Sequence, residues 1–193
     1  MRIRHLATVA ILCLTAGAVQ AQVVLSISSG EHAHACYVAA KIHINLQQGL
    51  DDCTTALQIE DLTERNKAAV LNNRGIIYDA LKQYQSAWND FSSSVMHDAT
   101  LGDPYLNMGV AQIRLNQPGQ ALQNIQKGLS LGISQPALGY YDLAVAQEEL
   151  GQNTDAYHNY KYALTLDPDL AAATEALKRF RVISGPNAQA DQT

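Results

Sequence analysis

The sequence predicts an all-α chain built from stacked helical hairpins, and three observations lead there. Small residues recur with a period of 34, Gly75 followed by Gly109 and Ala87 by Ala121. Within a period the apolar residues fall at helical spacing, as Leu71, Ile76, Ile77, Ala80 and Leu81 do. Between the helices stand breakers, Asn116-Gln117-Pro118-Gly119 and Gly151-Gln152-Asn153. There Pro removes a backbone donor and Gly tolerates positive φ. A repeat of this length marks units that cannot bury an apolar face alone and gain a core by stacking.

Composition agrees. The chain has 193 residues, 47% hydrophobic and only 16% charged, which excludes a disordered polyelectrolyte. Lys+Arg is 13 against Asp+Glu 18, a net charge of −5. Nucleic acid is not an expected partner, because that role needs a basic face. A polybasic membrane anchor is not expected on the same ground.

Along the chain, Arg2 and Arg4 precede an apolar stretch from Leu6 to Leu14, and Ala18-Val19-Gln20-Ala21 places small residues before a cut after Ala21. That is the layout of a cleavable signal peptide over 1–21. At 13 residues, Leu6 to Ala18 falls short of the roughly 20 that a membrane span requires. The expected compartment is periplasmic or secreted, with no span after signal removal. Residues 22–30 are expected to form a flexible arm. Its Val23-Val24-Leu25-Ser26-Ile27 run could alternatively pair with a partner strand.

Three units follow. The first has Leu71, Arg74-Gly75, Tyr78, Ala87 and Phe91; the second Tyr105, Met108-Gly109, Gln112, Ala121 and Ile125. The third has Tyr140, Leu143-Ala144, Gln147, Ala156, Tyr160, Ala163 and Pro168, with one residue inserted before it. Gly75 with Ala87, Gly109 with Ala121, and Ala144 with Ala156 are expected to let paired helices approach, with aromatics filling the flanking holes.

Over 68–170 this pattern resembles the tetratricopeptide repeat, whose signature is Trp-x2-Leu-Gly-x2-Tyr, then Ala-x3-Phe, then Pro. The first unit keeps Gly75, Tyr78, Ala87 and Phe91; the third keeps Leu143, Ala156 and Pro168. Gln112 and Gln147 stand where an aromatic is usual, and Ser94 and Gly128 where Ala163 shows the common residue. The resemblance implies a right-handed α-solenoid.

In the same frame 31–63 reads as a degenerate N-terminal hairpin. Cys36 and Cys53 fall at its seventh and twenty-fourth positions, level with each other across the hairpin. That suits a disulfide, the alternatives being buried free thiols or a metal or redox pair. Residues 171–183 read as a capping helix and 184–193 as a disordered tail.

The resemblance also implies that the first helix of each unit lines a concave groove that takes a peptide. The groove positions are Asn72, Asn73, Ile76 and Asp79 in the first unit, and Leu106, Asn107, Val110 and Arg114 in the second. In the third they are Tyr141, Asp142 and Val145. Asn73 and Asn107 share the sixth position, and a carboxamide offers a peptide backbone both donors and an acceptor. The family's cationic clamp for a terminal carboxylate has no match, since Asn72, Ile76, Asn107, Leu138 and Tyr141 hold those sites.

No catalytic, cofactor or metal set is read. His32 and His34 would point about 200° apart on a helix, and the adjacent acids read as solvated faces. The expected function is a non-enzymatic, exported adaptor that binds a peptide or protein segment in its groove. The alternatives are a structural subunit of an envelope assembly, using Trp88 and Tyr140-Tyr141, and a helical hydrolase.

Overall fold

The computed structural model describes residues 2–5, 25 and 30–183. The chain divides into two compact units, Ala21–Gln135 and the combination of Met1–Gln20 with Pro136–Thr193. Of the expected leader only 2–5 are described. Residues 6–21, the tail 184–193 and the arm apart from Leu25 and Gly30 lie outside the described residues.

The unit Ala21–Gln135 contains three antiparallel hairpins: α1 (Glu31–Ile42) with α2 (Leu46–Ile59), α3 (Glu64–Ala80) with α4 (Tyr84–His97), and α5 (Gly102–Arg114) with α6 (Pro118–Leu131). Each packs on the next, α2 on α3 and α4 on α5, while the first helices run side by side, α1 on α3 and α3 on α5. This side-by-side stacking produces one continuous core that includes Ala33, Ala40, Val70, Ile77, Phe91 and Ala111.

Close approach of backbones sets the hairpin geometry. A Cβ on Gly75 would stand 2.6 Å from the ring of Phe91, so the ring lies flat against the α3 backbone. Phe91, rather than Ala87, therefore occupies the space that Gly75 leaves. In the next hairpin a Cβ on Gly109 would lie 2.5 Å from Ile125 and 3.0 Å from the Ala121 carbonyl. Gly128 meets the Gly102 carbonyl in the same way, at 2.8 Å. Its departure from alanine thus lets the end of α6 touch the start of α5. Ser94, also at an alanine position, donates its hydroxyl to the Ala68 carbonyl at 2.7 Å, tying α4 to α3.

The hairpin turns share one device. Lys82 (φ 60), Asn116 (φ 58) and Gly151 (φ 72) are left-handed at equivalent positions. After each, an amide reaches back five residues: Gln83 to the Tyr78 carbonyl, Gln117 to that of Gln112, and Gln152 to that of Gln147. This closure satisfies carbonyls at the helix end. Gly119 does not make the turn; it lies in the first turn of α6.

Where the signature aromatic is missing, an amide pair replaces it. Asn124 donates to Gln112 and Asn159 to Gln147, each at 2.7 Å across its hairpin. In the first repeat the corresponding tie is ionic. Arg74 meets Asp90 through two bonds of 2.7 and 2.8 Å and reaches Thr54 of α2 at 3.2 Å.

The N-terminal hairpin is stapled. Cys36 and Cys53, both fully buried, are joined by a disulfide with Cα atoms 4.7 Å apart. Closing a loop of this size is worth about 3 kcal/mol in the chain-entropy model. Glu60, beyond the end of α2, accepts from the His32 amide at 2.8 Å and so caps α1. His32 Nδ1 lies 2.8 Å from Asp52. That hydrogen bond, helped by the charges of Asp52, Glu60 and Glu31 against the cost of desolvation, raises the imidazole pKa. Its contribution to stability is full at acid pH and fades as pH rises through the raised value.

The second unit holds α7 (Pro136–Glu149), α8 (Asn153–Leu166), α9 (Ala171–Leu177) and a two-stranded antiparallel ribbon. In the ribbon, β1 (Arg2–His5) pairs with β2 (Phe180–Ile183). The capping helix expected over 171–183 therefore stops at Leu177. Two contacts turn the chain there. Phe180 is drawn into the core, its ring 5.9 Å from those of Tyr157 and Tyr160. Arg179 forks onto Glu148 at 2.8 and 2.7 Å.

The packing at Gly75 yields a specific expectation. Gly75→Ala should lower the thermal midpoint, because overpacking costs about 1–3 kcal/mol. Alanine's propensity advantage in a helix returns only about 1 kcal/mol. Adding Phe91→Leu should restore part of the loss in the same melting experiment, whereas an unchanged single-variant midpoint would contradict this contact.

Candidate functional site

The side chains expected on the groove floor lie mostly within the interfaces between helices. On α3, Asn72, Asn73 and Ile76 are fully buried and Asp79 nearly so; on α5, Leu106, Asn107 and Val110 are fully buried. The aliphatic members close the contact between first helices. The polar members need partners, since a buried amide or charge left unpaired is costly.

Those partners divide the polar residues by role. Asn107 donates its amide to Asn72 Oδ1 at 2.8 Å, linking α5 to α3. Arg114 Nε stands 3.0 Å from Asp79 Oδ1, a second link between the same helices. The Arg114 guanidinium also lies over the Tyr84 ring, 5.4 Å from its centre. Asp103, in the first turn of α5, accepts from the amide and hydroxyl of Ser134 at 2.8 and 2.7 Å, fixing the segment after α6.

Asn73 differs from the other groove amide, Asn107. Its Oδ1 accepts the Leu25 amide at 2.9 Å and its Nδ2 donates to the Leu25 carbonyl at 2.8 Å. One carboxamide thus grips both main-chain groups of one residue in the arm. The Leu25 side chain, half-buried, packs on the core of the hairpin stack. Sequence reading placed Leu25 in a loose arm; the apolar Val23–Ile27 run was the signal that it could be held.

The third set of expected residues sits on α7 in the other unit. Tyr141 is buried with its ring 5.5 Å from that of Tyr160, Asp142 is fully buried, and Val145 packs on that unit's core. Burial, then the charge of Asp142, pushes the Tyr141 phenol up. Tyr160 donates to Glu148 at 2.7 Å, and burial with that carboxylate raises its pKa strongly. Glu148, held by Tyr160 and Arg179, is a structural tie. Trp88 borders a shallow hollow lined also by Gln85, Gln112 and Gln117. Among the described residues no group of three His, Cys, Asp or Glu could hold a metal ion, and no helix is long and apolar enough to cross a membrane.

The hairpin geometry recurs in solved structures. The Arabidopsis OM64 TPR domain aligns with a TM-score of 0.58 at 24% identity, over 60% of this chain and 95% of that one. The fold is the tetratricopeptide-repeat fold. The MamA crystal structure matches at TM-score 0.63 and 16% identity, over 78% of this chain and 82% of its own. The first TPR of Spaghetti (RPAP3), bound to the HSP90 peptide SRMEEVD, matches at 0.56 and 22%, over 62% and 93%. In sequence, the chain is 28% identical over 141 residues to the small glutamine-rich tetratricopeptide repeat-containing protein 2 of Saccharomyces cerevisiae. The alignment takes in 73% of this chain and 37% of that protein, so the chain spans little more than a third of the relative's length. No family model matches the chain.

The Asn72–Asn107 bond makes a coupling testable. Asn107→Ala should cost about 1–3 kcal/mol by stripping a donor from a buried carboxamide. Paired with Asn72→Ala, the double variant should cost less than the two singles together, by about 0.5–3 kcal/mol in a denaturation cycle. Strict additivity would contradict the bond.

Proposed function

We propose that this TPR chain is a non-enzymatic, exported adaptor that binds an extended peptide or protein segment along the face of α3 and α5. The observation that carries the reading is the Asn73 carboxamide gripping the amide and carbonyl of one residue, Leu25, outside the helices. A side chain that satisfies both groups of a peptide unit recognises backbone, and an adjoining apolar surface adds selectivity. The peptide bound to the Spaghetti domain supports the same use of the fold.

The kind of segment follows from charge. The HSP90 peptide named with Spaghetti is acidic and ends in aspartate. Here Asp79 and Asp103 stand on the same helices, and the one arginine among the expected groove positions is already paired with Asp79. An apolar or basic segment suits this surface better than an acidic tail. Export is supported by the layout of 1–21, whose removal takes β1 away from β2, and by the buried disulfide, a bond that persists in oxidising compartments.

The test is to select peptides on the full chain from a random display library and remake them with a photoreactive phenylalanine. Cross-links should fall on α3 and α5. Cross-links confined to α2, α4 and α6 would contradict groove binding and favour contacts through the outer helices.

A further inference from the structure

The Asn73 grip is already occupied, and by this chain. Asn73 is fully buried, and its carboxamide bonds twice to the main chain of Leu25, 48 residues away. Asn107, at the same position of the next repeat, instead spends its donor on Asn72.

We propose that Asn73 is a docking clasp for extended aliphatic segments, and that in the resting chain Leu25 fills it as an internal competitor which a partner must displace. This rests on the adaptor reading and specifies the ligand class of that site. Three observations support it. The clasp reads an amide and a carbonyl, groups that any extended segment other than one with proline at that residue can present. The Leu25 side chain packs against the core of the hairpin stack, so selectivity falls on an aliphatic side chain beside the gripped backbone. A buried carboxamide must also stay paired. Release of Leu25 therefore favours replacement by an equivalent backbone.

Competition of this kind has a quantitative consequence. Apparent affinity falls by the fraction of molecules in which the site is open. An arm engaged about nine-tenths of the time weakens an incoming segment about tenfold.

The probe is a fluorescein-labelled peptide with the sequence of residues 22–30, QVVLSISSG. It is titrated into the full chain, the Leu25→Pro variant, and Leu25→Pro combined with Asn73→Leu or with Asn73→Asp. Leu25→Pro removes the amide that Asn73 accepts, and should bind the peptide about tenfold more tightly than the unaltered chain. Both Asn73 substitutions should abolish that gain; Asn73→Asp keeps the size of the side chain and guards against a variant that fails to fold. In the unaltered chain the Leu25 amide should also exchange with deuterium at least about tenfold more slowly than in Asn73→Leu. Equal affinity of the unaltered chain and Leu25→Pro would overturn the internal competitor, and a gain that survives both Asn73 substitutions would overturn the clasp. If the peptide binds none of the four proteins while library peptides still cross-link to α3 and α5, this inference fails and the adaptor reading stands. If cross-linking fails as well, both fall.

Discussion

Everything in the hairpin stack depends on how closely helix backbones can approach. Gly75 under Phe91, Gly109 under Ile125 and Gly128 against Gly102 leave no room for a β-carbon. That closeness buries a phenylalanine and an isoleucine completely, each worth about 1.5–3 kcal/mol. It also fixes the rotation of α3 about its axis, which aims Asn73 at the arm and Asn72 at α5. The site is a by-product of packing: the small residues set the spacing, and the spacing sets that Asn107 reaches Asn72 and that Asn73 reaches Leu25.

Polar residues then do work that aromatics do elsewhere in the fold. Gln112 with Asn124, and Gln147 with Asn159, close their hairpins by one hydrogen bond each at equivalent places. Such pairs hold only when both partners are present. The first repeat keeps its aromatic, Tyr78, and adds the ionic tie of Arg74 with Asp90, whose link to Thr54 binds the stapled hairpin to its neighbour.

Much of the fold was legible in the sequence because the constraint that creates it is periodic. Gly75, Gly109, Ala87 and Ala121 announce the hairpins, and the repeat frame brings Cys36 level with Cys53. The end of the array was not legible. The apolar stripe of 171–183 suits a helix, and only the partners Glu148 for Arg179 and Tyr160 for Phe180 reveal why the chain leaves helical geometry at Leu177. Of the site, residue identity was readable and role was not. Asn73 and Asn107 occupy one repeat position, yet Asn107 pairs within the stack and Asn73 with the arm. No spacing rule separates them, because the difference lies in a partner 48 residues away.

The central claim is that hairpins too small to stand alone hold their shape through their neighbours. Native-state hydrogen exchange of the full chain in rising urea, read amide by amide, tests this most directly. Protection in α3 and α4 should disappear in step with that of α1, α2, α5 and α6 and with the same urea dependence, because opening the middle pair exposes both interfaces. If α3 and α4 open alone, with a small urea dependence, while the flanking helices remain protected, the stack is not what holds them and the account fails.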